Sequence, residues 1–165
     1  MQPGQPPELD GVTHRYVRAN GTRLHIAEAG EGPVVVLLHG WPQHWWIWRK
    51  VIPALAEGRR VICPDLRGFG WSDAPPHVYR SFLTRELTRL KKGRYRSRRL
   101  TVPTRLLAGE ADPVIRPEIL AGFEPYAEGM SVETVERCGH FVAEERPDVV
   151  IERARELFGT VASAS

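Results

Sequence analysis

The chain has two cysteines, Cys63 and Cys138, among 165 residues. Two are too few for a disulfide framework or a cysteine-rich zinc site. A thiol-reduced, cytoplasmic protein is therefore the default expectation. No apolar run approaches the roughly 18–20 residues needed to span a bilayer. The longest run, Val34 to Leu38, is the length of a strand. Residues Met1 to Asp10 are rich in Pro and Gln and lack the basic-then-apolar pattern of a secretory signal. Internal repeats and low-complexity tracts are also missing. What remains is an ordinary globular composition, 42% hydrophobic and 26% charged, in a chain long enough to bury its own core.

Net charge is +3, with 23 Lys and Arg against 20 Asp and Glu, but it is unevenly spread. Between Arg85 and Arg99 stand eight basic residues and one acid, Glu86. Such a run can mark contact with nucleic acid or another anionic partner. No zinc-finger spacing, helix-turn-helix pattern or ribonucleoprotein aromatic motif accompanies it. A solvated helix and the turn after it is the simpler reading, so nucleic acid is not the expected partner.

Strands and helices alternate along the chain. Tyr16–Arg18 and Arg23–Ala29 read as strands of a hairpin turned at Asn20-Gly21. Val34–Leu38 reads as a strand buried on both faces. Trp46–Glu57 reads as a helix with Ile47, Val51 and Leu55 on one face, followed by a strand at Arg60–Cys63. After the loop from Asp65 to Pro76 come a helix at Ser81–Lys92, a strand at Thr104–Ala108 and a helix at Pro117–Glu128. A strand at Ser131–Glu136 and a helix at Pro147–Phe158, opened by proline, complete the pattern. Alternation of this kind predicts an α/β fold with a mainly parallel sheet flanked by helices.

Four segments fall at the C-terminal ends of expected strands, where open α/β sheets bind ligands. They are His39-Gly40-Trp41-Pro42, the loop Asp65 to Asp73, Gly109-Glu110-Ala111-Asp112, and Cys138-Gly139-His140-Phe141. Each alone is weak, because a single Asp or His in a loop is usually structural. In this order they resemble the α/β-hydrolase family, and within it the epoxide hydrolase and haloalkane dehalogenase branch, over about residues 14–158. The resemblance implies an oxyanion loop at His39, Gly40, Trp41 and Pro42, a catalytic acid at Asp112 and a catalytic histidine at His140. It implies hydrolysis of a small-molecule substrate through an ester intermediate, with no metal, no cofactor and no membrane partner.

The family's nucleophile has no counterpart. It sits on a strand-to-helix turn of the form Gly-x-nucleophile-x-Gly, and no such stretch with Asp, Ser or Cys at its centre occurs in the 165 residues. The nearest look-alike, Gly70-Trp71-Ser72-Asp73-Ala74, has no strand before it, and Ser72 reads as a turn-capping hydroxyl. The chain thus reads as a truncated α/β-hydrolase fold that lacks the central nucleophile strand and most of the cap. Its expected parts are a leader at 1–12, the front of the core at 13–76, a cap remnant and basic linker at 77–100, the back of the core at 101–159 and a tail at 160–165.

Tyr79 has two open readings. It is either a remnant of the cap tyrosine that protonates an opening epoxide oxygen, or part of the front half. Removing the central strand would leave Val34–Leu38 with an open edge that invites self-association, and the expectation is that the Thr104–Ala108 strand moves in beside it and closes the sheet. The tryptophans from Trp41 to Trp48 either form an exposed patch or pack in part as core. Three functions follow: a hydrolase-family chain with little or no activity, a minimal hydrolase using histidine-activated water, or a non-enzymatic interaction module with a basic patch.

Overall fold

The computed structural model describes residues 4–73, 92, 99–116 and 119–159. Tyr79, the Ser81–Lys92 helix apart from Lys92, and most of the basic run lie outside them. The chain divides into two compact units, Met1–Val78 with Thr160–Ser165, and Tyr79–Gly159.

The first unit is built on a four-stranded sheet. Its strands are β1 (Thr13–Ala19), β2 (Thr22–Ala29), β3 (Val34–Val36) and β4 (Arg60–Pro64), in the order β1-β2-β4-β3. β1 and β2 form the expected antiparallel hairpin, with Ala19 facing Thr22. The two turn residues, Asn20 at φ 50° and Gly21 at φ 76°, take the left-handed backbone that a tight hairpin turn requires. β4 runs antiparallel to β2 and parallel to β3. Val51, Ile52 and Leu55 are buried, as are Ile26, Val35 and Val61 of the sheet.

Two expectations about this unit are corrected. The stretch from Trp46 to Glu57 is not one helix. It is a 3₁₀ turn at Trp45–Trp48 followed by the short helix α1 (Ile52–Ala56). Pro53 accounts for the break, because inside a longer helix its ring would clash with the preceding turn. The strand after the hairpin is also shorter than expected and buried on one face only. Val35 is 6% exposed, whereas Val34, Val36 and Leu38 are 56%, 52% and 58% exposed. Of the tryptophans, Trp45 is fully buried, Trp46 and Trp48 are half-buried, and Trp41 is exposed.

The second unit pairs β5 (Thr104–Gly109) with β6 (Met130–Val135) in a parallel ladder. Two helices follow β6: α2 (Val142–Glu145) and α3 (Pro147–Phe158). Val149 of α3 packs with Val135 and Cys138 in a small core, flanked by Leu107 and Val142. The helix expected at Pro117–Glu128 is not formed among the described residues. Residues 119–128 make turns, and Ala127 bridges to Leu100; Gly122 and Pro125 interrupt any helical run. The expected closure of the sheet does not occur either, for β5 pairs with β6 and lies in a different sheet from β3. Both apolar strands satisfy one ladder, and β3 keeps an edge without a strand partner among the described residues.

Candidate active site

The second unit holds the acid and histidine loops. β5 ends at Gly109 and β6 ends four residues before His140's loop neighbour Gly139, so parallel pairing delivers both loops to one end of the ladder. They are stitched by backbone. Glu110 N–H donates to the Val135 carbonyl at 3.0 Å and Ala111 N–H to the Cys138 carbonyl at 2.9 Å. The approach is close enough that a Cβ on Gly109 would overlap the carbonyl oxygens of Gly139 and Cys138. The Glu110 carboxylate accepts the Arg137 N–H at 3.2 Å, across the same gap.

Within this frame Asp112 Oδ2 lies 2.9 Å from His140 Nδ1. Asp112 Oδ1 accepts the N–H groups of Val114 (2.7 Å) and Ile115 (3.0 Å), which locks the carboxylate in its loop. The Asp112 side chain is 4% exposed and that of His140 is 38%. Burial works to raise the Asp112 pKa, but the hydrogen bonds from Ile115, His140 and Val114 outweigh it and hold the carboxyl below its ordinary value. An ionised carboxylate only accepts, so Nδ1 of His140 carries the proton and Nε2 is left as the basic nitrogen. This is the arrangement of a histidine general base with its orienting acid.

The oxyanion-loop residues lie in the first unit. His39 is 4% exposed. Its Nδ1–H donates to the Gly40 carbonyl at 2.9 Å, and its Nε2 accepts the Leu66 N–H at 2.9 Å. With both nitrogens engaged, His39 fastens the 39–42 loop to the Asp65 loop and has no free nitrogen for chemistry. The Trp41–Pro42 peptide is cis. The Trp41 N–H has no hydrogen-bond acceptor among the described residues, which leaves it available to an oxyanion.

Asp65 does more than the motif indicates. It is completely buried and accepts from His25 Nδ1 (2.8 Å), Trp45 N (2.7 Å) and Trp71 N (3.0 Å). Ser72 Oγ donates to the Asp65 carbonyl at 2.7 Å and accepts the His25 N–H at 2.9 Å, so its hydroxyl is occupied by turn structure. His25 Nε2 in turn lies 3.1 Å from His14 Nδ1, making a line from Asp65 through His25 to His14. Sequence reasoning missed His14, His25 and Glu145, whose carboxylate bonds the loop around His140. A histidine on a strand and a glutamate on a helix carry no local pattern that marks them. Among the described residues no group of three or more His, Cys, Asp or Glu could hold a metal ion, and no helix is long and apolar enough to cross a membrane.

Comparison with known proteins bears on the fold and on the sequence resemblance. The α/β-hydrolase fold family matches residues 33–92. Over 64 residues the chain is 58% identical to a soluble epoxide hydrolase of Corynebacterium sp. (strain C12), covering 39% of this chain and 22% of that protein. Over 81 residues it is 46% identical to bifunctional epoxide hydrolase 2 of Sus scrofa, covering 46% of this chain and 15% of that protein. The sequence matches thus span about a fifth of the relatives' length. The fold is similar to that of the epoxide hydrolase VrEH1 from Vigna radiata, with a TM-score of 0.78 at 17% identity, over 92% of this chain and 99% of that one. The chain thus has the fold of the α/β-hydrolases, and over the matched residues it is similar to the epoxide hydrolases among them.

Proposed function

We propose that this chain carries the water-activating part of an epoxide hydrolase-like site without the nucleophile on which the reaction begins, and that it hydrolyses epoxides or related esters at a residual rate at most. The Asp112–His140 contact at 2.9 Å carries the reading. In the full reaction a carboxylate attacks an epoxide carbon, the carbon–oxygen bond breaks, and an alkyl ester forms. A water deprotonated by the histidine then adds to the ester carbonyl, and backbone N–H groups stabilise the oxyanion. His140 and Asp112 suit the second step. The first has no agent, because no nucleophile turn occurs in the 165 residues. What remains is direct attack by a His140-activated water.

The motifs flanking the gap support internal loss of the middle of a longer hydrolase. The oxyanion loop and Asp65 loop precede it, and the acid and histidine loops follow it. In a serine protease, removing the nucleophile alone costs about six orders of magnitude in turnover, which sets the scale of the loss. The test is a sensitive epoxide- and ester-hydrolysis assay on the parent chain and His140→Ala. Residual hydrolysis that disappears in the variant, or none in either, fits the proposal. Turnover near that of ordinary enzymes, abolished by His140→Ala, refutes it.

A further inference from the structure

We propose that Glu145 is the positioning residue of the acid–histidine pair, gripping the backbone on both sides of His140 and so holding the imidazole against Asp112. The proposal rests on His140 being the base. Glu145 Oε2 accepts the Gly139 N–H at 2.7 Å, and Oε1 accepts the Phe141 N–H at 3.1 Å. One carboxylate thereby straddles His140, with an oxygen on the peptide preceding Gly139 and another on the peptide following His140. The first of these, at Gly139, is where the loop has most backbone freedom, since glycine lacks a Cβ. The carboxylate packs closely there, for a Cβ on Gly139 would lie 3.1 Å from both Glu145 oxygens.

Glu145 is itself held firmly. Its N–H donates to the Phe141 carbonyl at 3.0 Å, so backbone and side chain both tie it to Phe141. The adjoining Arg146 donates through its guanidinium to the Glu136 carbonyl at 3.1 Å, joining α2 to the loop after β6. The histidine loop is therefore fixed twice, by the acid loop through Ala111 N–H and the Cys138 carbonyl, and by Glu145 from its own C-terminal side. A carboxylate is the right group for this position. It offers acceptors only, and its bonds to N–H groups are charge-assisted. A simple helix cap would secure the four-residue α2 and leave the imidazole unchanged. The positioning role makes the imidazole state depend on Glu145.

The test needs no substrate and is read by NMR on the full chain with ¹⁵N-labelled histidine. In the parent, His140 carries its proton on Nδ1, and the Gly139 and Phe141 amides are protected from solvent exchange. In Glu145→Ala both amides exchange about tenfold faster, and the ratio of Nδ1–H to Nε2–H tautomers falls about tenfold. Glu145→Gln keeps one acceptor oxygen and turns an NH₂ toward the other donor, so one amide stays protected and the tautomer ratio is intermediate. A Glu145→Ala chain that is folded and has the parental tautomer ratio overturns the proposal, whatever its melting temperature. Should Glu145→Ala not fold, a parental tautomer ratio in Glu145→Gln overturns it equally. Failure of the hydrolytic reading appears separately, as turnover insensitive to His140→Ala, and leaves this NMR result standing.

Discussion

Asp65→Asn tests whether the buried polar hub organises the first unit. Asparagine keeps the shape, and its oxygen can still accept the Trp45 N–H. Its NH₂ then occupies the place of Oδ2, facing two donors, His25 Nδ1–H and the Trp71 N–H. Each buried donor left unsatisfied costs about 1–3 kcal/mol, so the substitution costs about 4 kcal/mol. A domain of this size is stable by about 5–15 kcal/mol in all, which makes the loss large. Urea unfolding followed by tryptophan fluorescence should show a lower midpoint with an unchanged slope. A variant within about 0.5 kcal/mol of the parent would refute the reasoning, since that is the range of neutral surface changes.

The same variant has a signature in pH. Burial raises the Asp65 carboxyl, but the bonds from His25, Trp45 and Trp71 prevail and hold it below its ordinary 3.8. A depressed acid contributes stability that is complete above the unfolded value and is lost as pH falls through the folded one. The parent should therefore lose stability in acid below about pH 4 by an amount that Asp65→Asn does not share. A higher window belongs to His14 and His44. Both lie below the ordinary 6.5, chiefly because burial disfavours their charged forms. The unfolded chain takes up those protons first, so stability also declines as pH drops below 6.5, and more so in Asp65→Asn, which lacks the Asp65 charge that raises both histidines.

Two further outcomes follow from close packing. Gly109→Ala forces a Cβ into the carbonyls of Gly139 and Cys138; it should cost about 1–3 kcal/mol as overpacking and disturb the His140 Nδ1–H signal. Normal melting with an unchanged signal would refute the close approach of the two loops. Both cysteines are buried, and burial pushes the Cys63 thiol up to about 12 and raises that of Cys138 as well. A thiol reagent near neutral pH should therefore label neither until the chain is unfolded, which mass spectrometry would read; early modification of Cys63 would contradict its burial.

The motifs at the strand ends were legible because each occupies a few adjacent residues whose types are dictated by local geometry. Asn20-Gly21 announced a hairpin through its backbone preference, and Pro147 opened a helix running to Phe158 as expected. The absence of a nucleophile turn was equally plain, since that turn is a five-residue pattern. Breaks such as the one at Pro53 were visible in principle, but the apolar periodicity through Val51 and Leu55 masked it.

Residues distant in sequence could not be joined by pattern alone. The line from Asp65 through His25 to His14 spans three separate segments, and only antiparallel pairing of β1, β2 and β4 brings them together. The partner of each strand was likewise a tertiary decision. Val34–Leu38 and Thr104–Ala108 are both apolar and looked suited to each other, yet β3 pairs with β4 and β5 with β6. By itself the sequence determined which chemical groups this protein has, which one it lacks, and where its turns fall. Tertiary structure decided which groups meet, because hydrogen bonding and burial depend on distance in space and a linear pattern encodes only distance along the chain.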